Sequence, residues 1–141
     1  MRKTALLIIS LAVLFACAPR TDGPRVVEDF NFDWRFTLGD SGEYSSVSFD
    51  DASWRALHLP HDWAIEGEFG PENPSGANGG ALPGGVGWYR KHFTTPSSDR
   101  VFVEFDGVFM LSTVFVNGKA VGTRPYGYSS FSYDITELLN P

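Results

Sequence analysis

The sequence predicts an all-β protein, an antiparallel sandwich of short strands, and three observations carry that prediction. Aromatic residues make up 15% of the chain, as 12 Phe, five Tyr and four Trp, and rings favour the pleated, half-buried surface of a strand. The apolar runs are short and punctuated by turn formers, with 15 Gly and nine Pro in 141 residues. Several runs alternate apolar and polar residues with period two, as half-buried strands do. A hydrophobic content of 43% is enough to fill a core, and the length suits one domain.

The N-terminus stands apart. Arg2 and Lys3 precede an apolar stretch, Ala5 to Ala16, broken only by Ser10. It is shorter than the roughly 20 residues that span a bilayer and reads as a secretory signal over residues 1–16. It ends in Leu14, Phe15, Ala16 and Cys17, which resembles the bacterial lipobox. That resemblance implies cleavage before Cys17 and acylation of this sole cysteine; the other reading is an ordinary signal with a chance cysteine. Several acyl chains would anchor the protein stably, with residues 17–25 as lipidated cysteine and tether. The expected location is the bacterial cell envelope, on the periplasmic or cell-surface side, touching membrane through the anchor alone. Loss of Arg2 and Lys3 moves the net charge from −6 to −8, which argues against nucleic acid, whose phosphates need a basic face.

The expected domain, residues 26–141, begins with a strand over Val26 to Leu38, where Phe30, Phe32, Trp34 and Phe36 alternate with Asn31, Asp33 and Arg35. Residues 39–48 are turn-like. Asp50 and Asp51 open a tight turn to Trp54, and Leu57 to Leu59 form a short extended piece that Pro60 stops. From Gly67 to Gly87 run 21 residues with eight Gly and three Pro. Loops of this length in compact domains are functional or disordered, and the flanking acids and aromatics favour a binding loop.

Beyond it, Val86 to Phe93 and Arg100 to Phe105 read as strands. Asn117 and Gly118, between Thr113–Val116 and Lys119–Val121, predict a type I′ hairpin, which needs φ > 0 at both residues. Tyr126 to Tyr128 and Phe131 to Tyr133 suggest one more strand. Asp134, with Glu137 three residues on, predicts the start of a helical turn. This makes five or six strands where a jelly roll has about eight, so the sandwich is expected to be incomplete at its C-terminus, with an unpaired edge.

Six motifs occur in order: Asp51–Arg55, Leu59–Trp63 (Leu-Pro-His-Asp-Trp), Pro83–Lys91, Phe105–Val108, Val116–Gly118 and Arg124–Phe131. Together they resemble the N-terminal sugar-binding jelly-roll domain, galactose-binding-domain-like, of glycoside hydrolase family 2, in particular its β-galactosidase-like members. The resemblance runs from about Val26 to the last residue. It implies a complete enzyme with an immunoglobulin-like sandwich and a (β/α)8 barrel as partner domains, acting on a β-glycoside. Two barrel glutamates would cleave the bond with retention, from carboxyls about 5–5.5 Å apart. No Asn-Glu dipeptide, the family's acid/base motif, occurs in the sequence, so no catalytic residue is expected in this chain. The other readings are a stand-alone lipid-anchored carbohydrate-binding module and a truncated product without function.

The resemblance also implies sugar contacts. Some family members place an asparagine of an Asn-Pro-Thr-Gly run over the pocket, just before the Gly-aromatic-Tyr strand. Gly84, Gly85 and Val86 occupy that place here, and the related run Asn73 to Gly76 lies about ten residues earlier, making Asn73 the candidate. Asp62 and His61 either touch a sugar hydroxyl or a neighbouring domain, or are turn residues bonding nearby amides. Trp63 and Trp88 are either sugar platforms or core. Glu66, Glu68 and Glu72 are either an acid/base group or solvated loop charges. Tyr126 and Tyr128 are interface or core. His58, His61 and His92 lack metal-ligand spacing, so no metal and no cofactor is expected.

Overall fold

The computed structural model describes residues 25–140; the signal segment, Cys17 and most of the tether lie outside the described residues. Residues 25–30, which belong to a unit separate from the one that begins at Asn31, have no regular structure. From Asn31 onward the chain is all-β, with seven short strands, every pair antiparallel.

Strands β1 (Trp34–Leu38), β2 (Arg55–Leu57) and β3 (Gly87–Arg90) make a three-stranded sheet with β1 in the middle. Strand β4 (Phe102–Phe105) pairs with β7 (Phe131–Asp134), and β5 (Ser112–Val116) with β6 (Lys119–Arg124). The β5–β6 turn is the expected one: Asn117 and Gly118 have φ of 49° and 79°, and a bulge at Val114/Phe115 shifts the register.

The first strand is shorter than its alternation suggests. Asp33 sits at φ 58°, outside the extended region, so Phe30 and Phe32 do not continue β1. Phe32 is left half exposed, edge-on to His58 at 5.2 Å. The Tyr126–Tyr128 segment is not a strand; Phe131–Asp134 is. The expected helical turn is a 3-10 turn over Thr136–Leu138. The position before it belongs to Ile135, while Asp134 accepts from the Thr136 amide (3.1 Å) and hydroxyl (2.6 Å).

The three-stranded sheet is covered on both faces. Phe36, Tyr89 and Gly87 share one face, since Phe36 pairs with Tyr89 and Leu38 with Gly87. Trp88 and Arg90 project from the other. There Arg90 lies over the rings of Phe49 (5.7 Å) and Trp54 (5.8 Å) and donates to the Tyr44 and Ser46 carbonyls. Trp88 stacks on Phe115 of β5 at 5.5 Å, which ties two sheets together. Gly122 of β6 meets Tyr133 of β7 so closely that a Cβ would stand 2.5 Å from the ring. Among the described residues the buried apolar side chains are Phe36, Trp54 and Ile135, a small core drawn from three separate places.

Candidate functional site

The glycine-rich segment leaves the three-stranded sheet at the corner Pro60–Trp63 and returns to it at β3. Its root is a network of side chains. Arg55 on β2 grips Glu66 in a two-pronged pair, both N–O distances 2.9 Å, the geometry that a planar guanidinium matches best. His61 stands between them and the sheet. Its Nε2 lies 2.5 Å from Arg55 Nη2 and 3.2 Å from Glu66 Oε1, while Nδ1 is 2.8 Å from the Tyr89 hydroxyl. Phe36 closes the cluster from below, edge-on to His61 at 5.0 Å, with the Arg55 guanidinium 5.4 Å above its ring.

The electrostatics fix protonation states. The bond from Arg55, reinforced by His61, lowers the Glu66 carboxyl below its ordinary value. Burial, reinforced by the charge of Asp62, pushes the Tyr89 phenol up to about 12. At neutral pH Glu66 is therefore a held carboxylate and Tyr89 a held phenol, so neither is placed to exchange a proton.

The loop itself is folded back on its own backbone. The Gly70 amide donates to the Ala81 carbonyl (3.1 Å), and the Ala81 amide to that of Gly76 (2.7 Å). The Ser75 hydroxyl donates to the Leu82 carbonyl at 2.6 Å. Gly67 lies directly against the Pro83 ring. A shallow cavity of about 430 Å³ opens on its surface, lined by Phe69, Gly70, Pro71, Ala77 and Ala81.

Each candidate sugar contact has a definite place. Asn73 is the staple of the loop: its Nδ2 donates to the Glu68 (2.8 Å) and Ala81 (2.7 Å) carbonyls. Both amide hydrogens are thereby engaged, and Oδ1 is the remaining side-chain acceptor. Asp62 takes the turn role, accepting from the Ala64 amide at 2.9 Å. Trp63 fills the gap that Gly87 leaves, where a Cβ would lie 2.8 Å from its Nε1. Trp88 donates from Nε1 to Asp40 at 2.8 Å and stacks on Phe115, which makes it packing material. Trp63 thus shares the corner with Asp62 and His61, Asn73 belongs to the loop, and Trp88 projects from the opposite face of the sheet.

Glu68 and Glu72 are exposed, and Glu72 rests against Gly70. His92 bonds Asp51 at 2.9 Å and His58 accepts from the Asp33 amide at 3.1 Å. No group of three His, Cys, Asp or Glu able to hold a metal occurs among the described residues, and no helix among them is long and apolar enough to cross a membrane. Sequence reasoning missed Arg55 and Tyr89, whose roles arise from register across the sheet.

No family model matches the chain. Individual proteins do. A β-galactosidase of Bacteroides ovatus is 60% identical over 119 residues, which is 82% of this chain and 14% of that protein. A putative β-glucuronidase of Formosa agariphila is 43% identical over 132 residues, 92% of this chain and 13% of the other. Among solved structures, a β-glycosidase from Bacteroides vulgatus superimposes with a TM-score of 0.74 at 46% identity, over 79% of this chain and 15% of that one. A glycosyl hydrolase family 2 member from Bacteroides cellulosilyticus gives 0.75 at 37% identity, over 80% and 16%. The chain thus spans about one seventh of the length of these relatives. Its antiparallel sheets and its sequence agree on one assignment: this chain belongs to glycoside hydrolase family 2, as an N-terminal domain of such enzymes.

Proposed function

We propose that the domain is the non-catalytic, carbohydrate-facing wall of a larger β-glycosidase, and that the cleaving carboxyl pair belongs to another part of that enzyme. The observation that carries this reading is the state of the loop: it is ordered by its own hydrogen bonds, and Glu66 at its root is held ionised by Arg55. Retaining hydrolysis needs one carboxylic acid to protonate the leaving oxygen and a second to attack the anomeric carbon; a carboxylate locked in a guanidinium fork serves neither purpose. A stapled loop can instead offer fixed contacts, Asn73 Oδ1 and the corner around Asp62 and Trp63, to a sugar held over the pocket of a neighbouring domain.

The relatives named β-galactosidase and β-glucuronidase support a β-linked galactoside or glucuronide as the substrate class of the whole enzyme. The lipobox-like end of the signal segment supports an acylated Cys17 and a site of action in the cell envelope. Metabolic labelling with an alkyne fatty acid tests this: label should enter the protein and be lost in Cys17→Ser.

The functional test is exchange. The Bacteroides ovatus β-galactosidase, with its matching segment replaced by that of this chain, should fold and hydrolyse an aryl β-galactoside. The 141-residue chain alone should show no turnover on aryl β-galactoside or β-glucuronide. Turnover by the isolated chain, or saturable sugar binding by the isolated chain with a dead chimera, would replace this reading by an enzyme or by a free-standing binding module.

A further inference from the structure

We infer that the face formed by Phe109, Met110, Leu111, Tyr126 and Tyr128 is an interdomain seat, covered in the complete enzyme by an apolar surface of another domain of the same polypeptide. The inference rests on the family reading above and assigns a specific surface to it.

The face is built rather than incidental. Two segments, residues 106–111 and 125–128, run together backbone against backbone. Gly127 is buried, and a Cβ there would lie 2.7 Å from Phe109 Cα. A Cβ on Gly107 would stand 2.9 Å from the Gly127 carbonyl oxygen. The Leu111 amide donates to the Pro125 carbonyl at 3.4 Å. With the glycines filling the inside of this junction, the large side chains are left on the outside. Leu111 holds φ at 56°, a left-handed conformation that persists only where surrounding structure imposes it.

What emerges is continuous and apolar. Phe109, Met110, Leu111, Tyr126 and Tyr128 are 60–76% exposed, and their rings touch, Phe109 to Tyr128 at 5.4 Å and Tyr126 to Tyr128 at 5.8 Å. The three rings alone present roughly 400 Å² at the usual size of such side chains, before Met110 and Leu111 are added. Patches of this size mark interaction sites. The adjoining Arg124 directs its guanidinium over Phe131, 5.2 Å from that ring.

The chemistry and the family's dimensions select the occupant. Phenylalanine, methionine and leucine side by side, with two phenol hydroxyls as the side-chain polar groups, suit another protein surface better than a sugar, whose hydroxyls need several directed partners. The relatives are about six to seven times as long as this chain, so in a complete enzyme of that size a tethered neighbouring domain stands at the millimolar effective concentrations that outcompete a second copy.

Tyrosine nitration by tetranitromethane with peptide mapping tests the assignment. Tyr126 and Tyr128 should nitrate readily in the 141-residue chain and at least tenfold more slowly in the Bacteroides ovatus chimera. The double variant Phe109→Ser/Tyr128→Ser should split the chimera's single melting transition into two and leave the melting of the isolated chain unchanged. Equal nitration in both proteins would overturn the inference while leaving the family reading standing, provided the chimera is active. Protection that grows with concentration in the isolated chain would reassign the face to a second copy. A chimera that neither folds nor hydrolyses galactoside would bring down the proposed role of the domain, and this inference with it.

Discussion

The corner at the root of the glycine-rich loop and the aromatic face at Phe109 and Tyr126–Tyr128 are finished to different degrees. At the corner the polar groups are engaged locally: Arg55 holds Glu66, His61 meets Tyr89, Asp62 accepts from the Ala64 amide, and Asn73 staples the loop. At the aromatic face the backbone is packed tightly, yet the large side chains stay 60–76% exposed. Polar satisfaction is local and a short chain can complete it, whereas apolar burial needs area that a small domain lacks. The first region is closed by its own residues; the second awaits a partner.

Substitutions probe that contrast, beginning beneath the corner. Phe36 is 7% exposed and supports both His61 and Tyr89. Phe36→Ala should cost about 3–5 kcal/mol by urea denaturation, the usual loss for a buried phenylalanine. A cost below 1 kcal/mol would mean that the corner does not rest on it.

At the aromatic face the expected losses are reversed between backbone and side chain. Gly127→Ala drives a methyl into Phe109 and should cost about 1–3 kcal/mol, as overpacking does. Tyr128→Ser, on an exposed ring, should change the isolated domain by within about 0.5 kcal/mol. If Tyr128→Ser proved the costlier of the two, the face would be core and not surface.

Asn73→Ala removes two hydrogen bonds, each worth about 0.5–1.5 kcal/mol. Amide exchange at Gly70 and Ala81 should accelerate while β1 and β3 keep their protection, because the staple belongs to the loop alone. Uniform acceleration across the sheet would show that loop and sheet open as one.

The smallest effect is a titration. The Tyr89 phenol is raised to about 12, first by burial and then by Asp62. A raised value favours the protonated form, so this stabilisation is present below about pH 10, the ordinary tyrosine range, and disappears as pH rises through 12. Absorbance at 295 nm should show a late tyrosinate step that Tyr89→Phe abolishes.

The sheet class, the hairpin and the loop were legible because their signals are local. Asn117 and Gly118 declare a turn within two residues, and Asp62 bonds an amide two residues on. The length of β1 was not legible, since a single left-handed residue, Asp33, ends an alternation that the letters continue. Arg55 and Tyr89 meet His61 only through strand register, which spacing does not encode. Tyr126 and Tyr128 alternate as a strand would; their outward turn follows from Gly107 and Gly127 fitting against distant backbone. Asn73 was found as a residue but not as a staple, because its partners lie on loop carbonyls five and eight positions away.

The central claim, that this domain forms a wall and supplies no cleaving carboxyl, is tested most directly by steady-state kinetics of the Bacteroides ovatus chimera carrying Glu66→Gln, Glu68→Gln and Glu72→Gln together. The account predicts a kcat within about threefold of the unsubstituted chimera; a fall of the roughly 10²–10⁴-fold that loss of a general acid brings would contradict it.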